Sequence, residues 1–237
     1  MTPLSQLWTI TIKEAREIVT NRILLVSGLF FAVWFSLMAG LGIGNDKSLS
    51  AAVQLNNALF YTGALIGVFI GYIYSGQTYL REKHSGIVET LLCAPVSLRT
   101  IWAGKALGVV GPSWVMALLA GGVMVWVGNT RTQELVLPGA AVVVHMLVVV
   151  PVFIVAAVGL IGFAQLMLGM RENVVVNMAS ITVLLAALAL TRMIVDEQSL
   201  VSWGAVGWLL GGSVLLLAVT AWLGRFLSKE RIVTSIT

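Results

Sequence analysis

Long windows without charged residues alternate with short polar stretches along this chain, and they predict where it crosses a membrane. A helix needs about 20 apolar residues, within a range of about 17–25, to span the hydrocarbon core of a bilayer. Six windows meet this requirement, and the fourth is long enough to tilt or to kink at Pro151. The predicted spans cover residues 23–43, 57–74, 101–127, 139–168, 174–190 and 203–223. We therefore predict an all-α integral membrane protein with one domain, residues 1–237.

The segment before the first span, residues 4–22, has the pattern of a helix that lies in a membrane surface. Leu4, Trp8, Ile12 and Val19 recur at helical spacing. The polar residues fall on the other faces: Lys13, Glu14, Arg16, Glu17 and Asn21. We predict an interfacial amphipathic helix with the Trp8 side chain at the depth of the lipid headgroups. The alternative is an ordinary exposed N-terminal helix.

Composition and charge support a membrane protein and give it an orientation. The chain is 59% hydrophobic and 10% charged, whereas ordinary soluble domains carry roughly 25% charged residues. Of the 14 Lys and Arg residues, eleven lie on one side of the predicted spans, and the other side has only Lys47, Arg131 and Arg192. The positive side faces the cytosol. We expect a multi-pass protein of the cell (cytoplasmic) membrane with both termini cytosolic and an uncleaved first span.

Few residues suggest chemistry within the membrane. The predicted span cores lack Asp and Glu, and their polar candidates are His145, Gln165 and Asn177. His145 is either a proton relay or ligand, or a neutral residue hydrogen-bonded to a neighbour. Gln165 and Asn177 either tie helices together or line a site. Because the chain has one cysteine and no GxxxxGK[ST] loop, Ser-His-acid triad or HExxH motif, we expect no enzyme activity, cofactor or metal on this chain.

The longest polar interruption, residues 81–105, contains a predicted cytosolic helix over about residues 81–94. The apolar side chains of Ile87, Leu91 and Leu92 recur at helical spacing on this helix and lie at a predicted surface. A loop that is only solvated does not need them there. Exposed apolar residues bordered by charges are typical of a docking site for another protein.

The two ends of this interruption also carry structural signals. Ser85 or Gly86 offers a break or a new start for the helix, and Pro95 ends it. Ser97 is placed to cap the next helix. Lys105 lies close enough to the start of the third span to extend its charge to the membrane surface. GxxxG pairs, typical of close helix packing in lipid, occur in three spans: Gly67 and Gly71, Gly104 and Gly108, and Gly207 and Gly211.

Four parts of this polar interruption form a motif: Glu82, SGIVETLL at residues 85–92, APVS at 94–97 and Lys105. The motif resembles a stretch of type-2 ATP-binding-cassette (ABC) exporter permeases. In that family the stretch reads E…GTLE-LL-PVS…K. The motif covers about 25 residues of this chain, and the predicted architecture agrees over nearly all of it. Residues 87 and 88 are Ile and Val where the family more often has Thr and Leu, a mild departure.

The resemblance implies a helix between spans two and three, the coupling helix, that docks onto a separate cytosolic ATPase subunit. Its expected docking residues are Glu82, Gly86, Ile87, Glu89, Leu91, Leu92 and Pro95. The N-terminal helix would correspond to the interfacial connecting helix, with Trp8, Ile12, Lys13 and Arg16 as its marked residues. ATP and Mg²⁺ would bind to the partner subunit, and two permease subunits, identical or different, would form a dimer with the substrate path near their interface.

The predicted function is therefore that of a permease subunit of an ATP-driven exporter. The acid-free spans favour an apolar or amphiphilic substrate, such as a lipid, a hydrophobic peptide, a drug or haem. One alternative is a non-transporting anchor or assembly subunit with the same fold. A secondary carrier is disfavoured because the spans lack carboxylates and show no inverted repeat.

Overall fold

The computed structural model describes residues 2–87, 95–169 and 199–229, together with positions 172, 175, 178, 179, 182, 186 and 232. All regular secondary structure in this part of the chain is helical. The predicted all-α class is therefore confirmed for the residues described.

The first two helices, α1 (Pro3–Thr20) and α2 (Arg22–Gly42), are separated by the single residue Asn21. The Asn21 side-chain oxygen accepts hydrogen bonds from the backbone N–H groups of Ile23 and Leu24, at 3.1 and 3.4 Å. The first N–H groups of a helix have no partner within it, and a capping side chain supplies one. Asn21 therefore ends α1 and begins the first membrane helix.

Helix α3 (Ala51–Ser75) continues through a π-turn, Gly76–Leu80, into the short helix α4 (Arg81–His84). Ser50 begins this stretch, since its hydroxyl accepts a hydrogen bond from the N–H of Val53. A π-turn holds one residue more than an α-turn and shifts the faces of the helix that follows. Helix α4 is therefore a direct extension of the second membrane helix.

Helix α5 (Leu98–Thr132) begins at Ser97, whose hydroxyl accepts a hydrogen bond from the N–H of Thr100 at 3.1 Å. This confirms the predicted cap. Helix α6 (Ala140–Val144) leads through a second π-turn, His145–Val149, into the next helix.

That next helix is α7 (Val150–Met167), and the predicted kink residue Pro151 lies in its first turn. The π-turn runs into α7 without a break, so Pro151 lacks an N–H inside a continuous helical stretch, directly after the irregular turn. The last helix, α8 (Trp203–Leu223), is followed by a 3₁₀ turn at Gly224–Phe226.

Five helical stretches among the described residues are long and apolar enough to cross a membrane. They are Arg22–Gly42, Ala51–Lys83, Leu98–Thr132, Ala140–Met167 and Trp203–Phe226. They correspond to the first four predicted spans and the sixth. The predicted fifth span, residues 174–190, lies mostly outside the described residues, so the count of six stays a prediction.

Helix α3 lies in the interior of the bundle and packs against α2, α5 and α7. Phe60, Ile70 and Tyr74 on this helix are each at most 1% exposed. In contrast, α2 and α8 leave large apolar side chains exposed, among them Trp34 and Trp208. Such a surface suits a hydrocarbon environment, which supports the integral membrane class.

Two of the three GxxxG pairs differ in what surrounds them. A Cβ atom added at Gly67 or Gly71 would lie 2.6 or 2.8 Å from a side chain of α7. This pair lets α3 and α7 pack closely, as predicted. A Cβ atom added at Gly207 or Gly211 would have no described residue of another element within 4 Å, so this pair makes no close helix contact in that part of the chain.

We call the end of the bundle that holds α1 and α4 the α4 end. The predicted orientation places it at the cytosol. The other end, formed by residues 43–50 and 133–139, is called the opposite end.

Candidate functional site

Three charged side chains from three helices meet in the interior of the α4 end. The Lys105 Nζ atom donates hydrogen bonds to Glu14 Oε1 at 2.9 Å and to Glu82 Oε1 at 2.7 Å. The side chains of Lys105 and Glu14 are each 4% exposed, and that of Glu82 is 13% exposed. Charges removed from water need such partners. We call these three residues the charge cluster.

The predicted depth of Lys105 at the membrane surface stays a prediction, but its ammonium group does not extend into water. Lys105 is buried because carboxylates from α1 and α4 both reach its ammonium group. The cluster thereby joins the N-terminal helix, the segment after the second span and the start of the third span.

Two glycines of α5 allow α1 to come close enough for this contact. A Cβ atom added at Gly104 would lie 2.9 Å from Ile10, and one at Gly108 would lie 2.6 Å from Glu14. The Thr11 hydroxyl donates a hydrogen bond to the Gly104 carbonyl oxygen at 3.2 Å. The second GxxxG pair therefore packs against the N-terminal helix rather than against another span.

Lys13 lies on the solvent side of the charge cluster. Its Nζ atom is 3.2 Å from Glu14 Oε1 and 3.6 Å from Glu17 Oε2. Burial lowers the pKa of Lys13, but the carboxylates of Glu14, Glu82 and Glu17 raise it further, and the result lies above the usual value. Lys13 is therefore protonated at neutral pH and adds a second positive charge beside the two carboxylates.

Two buried aromatic residues connect the elements next to the charge cluster. The Tyr79 hydroxyl donates a hydrogen bond to the Trp102 carbonyl oxygen at 2.9 Å. The Trp102 indole N–H donates a hydrogen bond to the Gly159 carbonyl oxygen at 3.0 Å. A Cβ atom at Gly162 would lie 2.6 Å from the Tyr79 ring, and one at Gly224 would lie 2.8 Å from the Trp102 ring. These contacts join the π-turn at Gly76–Leu80, α5 and α7 to the turn after α8.

Beyond α4 the chain turns at Ser85 and Gly86. Gly86 has a φ of +71°, a conformation that glycine adopts without the steric cost of a side chain. The predicted helix over residues 81–94 is thus interrupted where the sequence offered a break. Ile87, the next residue, is 49% exposed.

The remaining predicted docking residues are only partly described. Pro95 is exposed at the start of the turn before α5. Three others lie outside the described residues: Glu89, Leu91 and Leu92. Their docking role stays a prediction.

A second lysine of α4 is also buried. Lys83 is 1% exposed, and its Nζ atom donates hydrogen bonds to the backbone carbonyl oxygens of Gln165, Leu166 and Leu168. These carbonyls belong to the end of α7. Adjacent residues of α4 therefore contact different membrane helices, α5 through Glu82 and α7 through Lys83.

The predicted interfacial residues lie on faces of α1 that the bundle does not cover. Trp8 is 63% and Ile12 is 49% exposed, and Lys13 and Arg16 are also exposed. The described residues therefore leave much of the apolar stripe that contains Trp8 uncovered. Helix α1 instead uses the face of Glu14 to contact α5.

The polar residues predicted within the membrane have separate positions. His145 is fully buried, and its Nε2 atom lies 3.1 Å from the Phe60 carbonyl oxygen. This confirms its hydrogen bond to a neighbour. Gln165 is fully buried at the end of α7, and Asn177 lies outside the described residues.

Sequence reasoning assigned no role to Glu14 or Lys83. A signal for Glu14 was present, because it lies four residues from both Ile10 and Ile18 and so continues the line of side chains that faces α5. Nothing comparable marks Lys83, because its partners are backbone carbonyl groups of a distant helix.

The fold and the site define a multi-span helical membrane protein in which buried charges join an N-terminal helix and a polar segment to the spans. A family profile described as ABC-2 family transporter protein matches residues 8–195, a range that includes the whole charge cluster. The chain belongs to this family of ABC transporter permeases, which confirms the resemblance found in the sequence. No curated protein matches the chain.

Proposed function

We propose that this protein is the membrane-spanning permease subunit of an ATP-driven ABC exporter. A separate cytosolic ATPase subunit binds ATP and Mg²⁺ and supplies the energy, and two permease subunits form the path for the substrate. Membership of the ABC-2 transporter family supports the permease role. The apolar character of the spans favours an apolar or amphiphilic substrate that moves out of the cytosol.

The observation that carries this proposal is the charge cluster. Lys105 holds Glu82 of α4 and Glu14 of α1 at ion-pair distance in a buried site. Removing one partner from a buried ion pair costs about 3–5 kcal/mol, so these helices resist separation. A force applied to α4 is therefore transmitted to α5 and α1.

The ATPase subunit applies that force at the exposed turn after α4. Ile87 presents an apolar side chain there, and the sequence continues with Glu89, Leu91 and Leu92. When ATP closes the two ATPase subunits on each other, this segment moves with them. A ligand that binds one of two arrangements more tightly shifts the equilibrium toward it.

Helix α1 lies in the cytosolic surface of the membrane in this scheme. Its exposed apolar stripe faces lipid at the depth of Trp8, and its polar face, with Lys13 and Arg16, faces the cytosol and the ATPase subunit. Because Glu14 binds Lys105, the helix moves with the start of α5.

The proposal is tested with the two glycines of positive φ, one at each end of the bundle. Gly86 has a φ of +71° and Gly44 a φ of +85°. Proline cannot adopt either conformation, so Gly86→Pro and Gly44→Pro strain the backbone in the same way. Each variant is co-expressed with the ATPase subunit and reconstituted in lipid vesicles, and permease-dependent ATP hydrolysis is measured.

We expect Gly86→Pro to reach the membrane and to lose at least tenfold of the permease-dependent ATP hydrolysis. Gly44→Pro should retain most of it. Equal hydrolysis by the two variants at equal membrane levels would contradict docking at the α4 end.

A further inference from the structure

Lys83 is a cation in the protein interior that binds only backbone groups among the described residues. Its Nζ atom donates its closest hydrogen bond to the Leu168 carbonyl oxygen and two longer ones, at 3.4 Å each, to those of Gln165 and Leu166. The ion pairs between described residues do not include Lys83. Its charge is therefore stabilised through hydrogen bonds by the end of α7 and, without a direct ion pair, by the carboxylate of Glu172.

The chemistry of that end explains why a lysine fits there. The last four carbonyl groups of an α-helix have no partner within the helix. They also carry the partial negative charge of the helix dipole, which favours a cation beside them. The ammonium of Lys83 has three N–H donors and meets three such carbonyl groups.

The position of Lys83 beside Glu82 gives these bonds a further consequence. Glu82 contacts α5 through Lys105 at 2.7 Å, and Lys83 contacts α7 from the same turn of α4. Removing the carbonyl groups would leave a buried ammonium without its hydrogen-bond partners among the described residues, which is costly. Helix α7 must therefore follow α4, or three hydrogen bonds must break together.

We infer that Lys83 is a positioning residue that transmits the movement of α4 to α7. This inference rests on the proposed function, because ATP must move α4 for the link to act. In the resulting scheme the movement of α4 that ATP drives reaches the transmembrane bundle through two branches. One runs from Lys105 to α5, and the other runs from Lys83 to α7. Loss of Lys83 removes the second branch and leaves the first.

The test measures two distances by pulsed electron paramagnetic resonance in the complex with its ATPase subunit. The single cysteine, Cys93, is first replaced by serine. Spin labels are then placed at Phe163 in α7 and at Ser85 beyond α4, each paired with a label at the exposed Met38 in α2. Labelled chains are diluted with unlabelled ones, and spectra are recorded without nucleotide and with ATP and vanadate.

In the otherwise native chain we expect ATP to shift both distances. In Lys83→Met the shift of the Ser85–Met38 distance should remain and the shift of the Phe163–Met38 distance should be lost. Lys83→Arg, which keeps a charged donor, should restore part of the lost shift. Lys47→Met is the control, since Lys47 is an exposed lysine of the opposite end.

The outcomes separate the two proposals. If ATP shifts the Phe163–Met38 distance in Lys83→Met as much as in the native chain, Lys83 is only a static cap and the inference is wrong. If ATP shifts neither distance in the native chain, the proposed function itself fails. Should Lys83→Met not accumulate in the membrane, Lys83→Gln, which keeps an N–H donor without the charge, is judged by the same two distances.

Discussion

The two ends of the bundle are held together by different chemistry. The α4 end contains the charge cluster around Lys105 and the buried ammonium of Lys83. At the opposite end most links are neutral: Asn56 Oδ1 accepts a hydrogen bond from the Gly139 N–H at 2.6 Å, and Gln54 contacts backbone groups of residues 44–49. One charged group takes part, since Arg131 donates a hydrogen bond to Asn45 Oδ1 at 3.0 Å. No ion pair joins the described residues of that end.

The difference indicates what each end does. Neutral hydrogen bonds hold a loop in place at little desolvation cost, so they suffice where a loop only has to connect two helices. Buried ion pairs are no better for stability than apolar packing of the same volume. Their presence at the α4 end therefore fits a mechanical role, because two oppositely charged groups cannot be separated without a large penalty.

The largest effect is expected when the charge cluster is broken at its centre. Lys105→Met leaves the carboxylates of Glu14 and Glu82 together in a buried site, with only the solvent-exposed Lys13 as a cation beside them. We expect a loss of about 3–5 kcal/mol in the free energy of unfolding, measured by reversible unfolding in detergent micelles. The triple variant Glu14→Gln, Glu82→Gln, Lys105→Met should recover most of that loss. If Lys105→Met alone has the stability of the native protein, the three charges do not form the link described.

An intermediate effect is expected when α1 is pushed away from α5. Gly108→Leu places a side chain where a Cβ atom alone would lie 2.6 Å from Glu14, and overpacking of this kind costs about 1–3 kcal/mol. Gly211→Leu is the matched control, because an added Cβ atom there would meet no described residue within 4 Å, and it should change the free energy of unfolding by less than about 0.5 kcal/mol. Equal losses in the two variants would show that α1 is not held at the α5 glycines.

The smallest effect is expected at the opposite end. Asn56→Ala removes the acceptor of the part-buried Gly139 N–H and should cost about 0.5–1.5 kcal/mol, the net contribution of one hydrogen bond. ATP hydrolysis by the complex should not change, since the loops of this end only connect helices. A variant of normal stability with altered ATP hydrolysis would show that the opposite end also takes part in energy transfer.

The sequence predicted the fold well wherever one short window contained the signal. Charge-free windows located the spans, and Ser97 and Gly86 marked a helix cap and a break. The charge cluster was not predictable in this way, because it depends on which face of α1 meets α5. Pattern reasoning assigned the obvious apolar stripe of α1, with Trp8, to the membrane and left Glu14 among its polar residues.

Lys83 shows more clearly which contacts a short window of sequence does not predict. Its partners are main-chain oxygens, which every residue has, so side-chain chemistry in the sequence does not identify them. The π-turn at Gly76–Leu80 also sets the face that α4 presents to α7, and an average helical period does not include such a shift.

Photo-crosslinking at Ile87 tests the central claim most directly, namely that energy enters at the turn after α4. A benzophenone amino acid replaces Ile87 in the full-length chain, co-expressed with the ATPase subunit. The control is the same replacement at Leu135, an apolar residue of the opposite end that is 85% exposed, compared with 49% for Ile87. We predict a crosslink to the ATPase subunit from position 87 and none from position 135. A crosslink from neither position, or from 135 alone, would contradict the account.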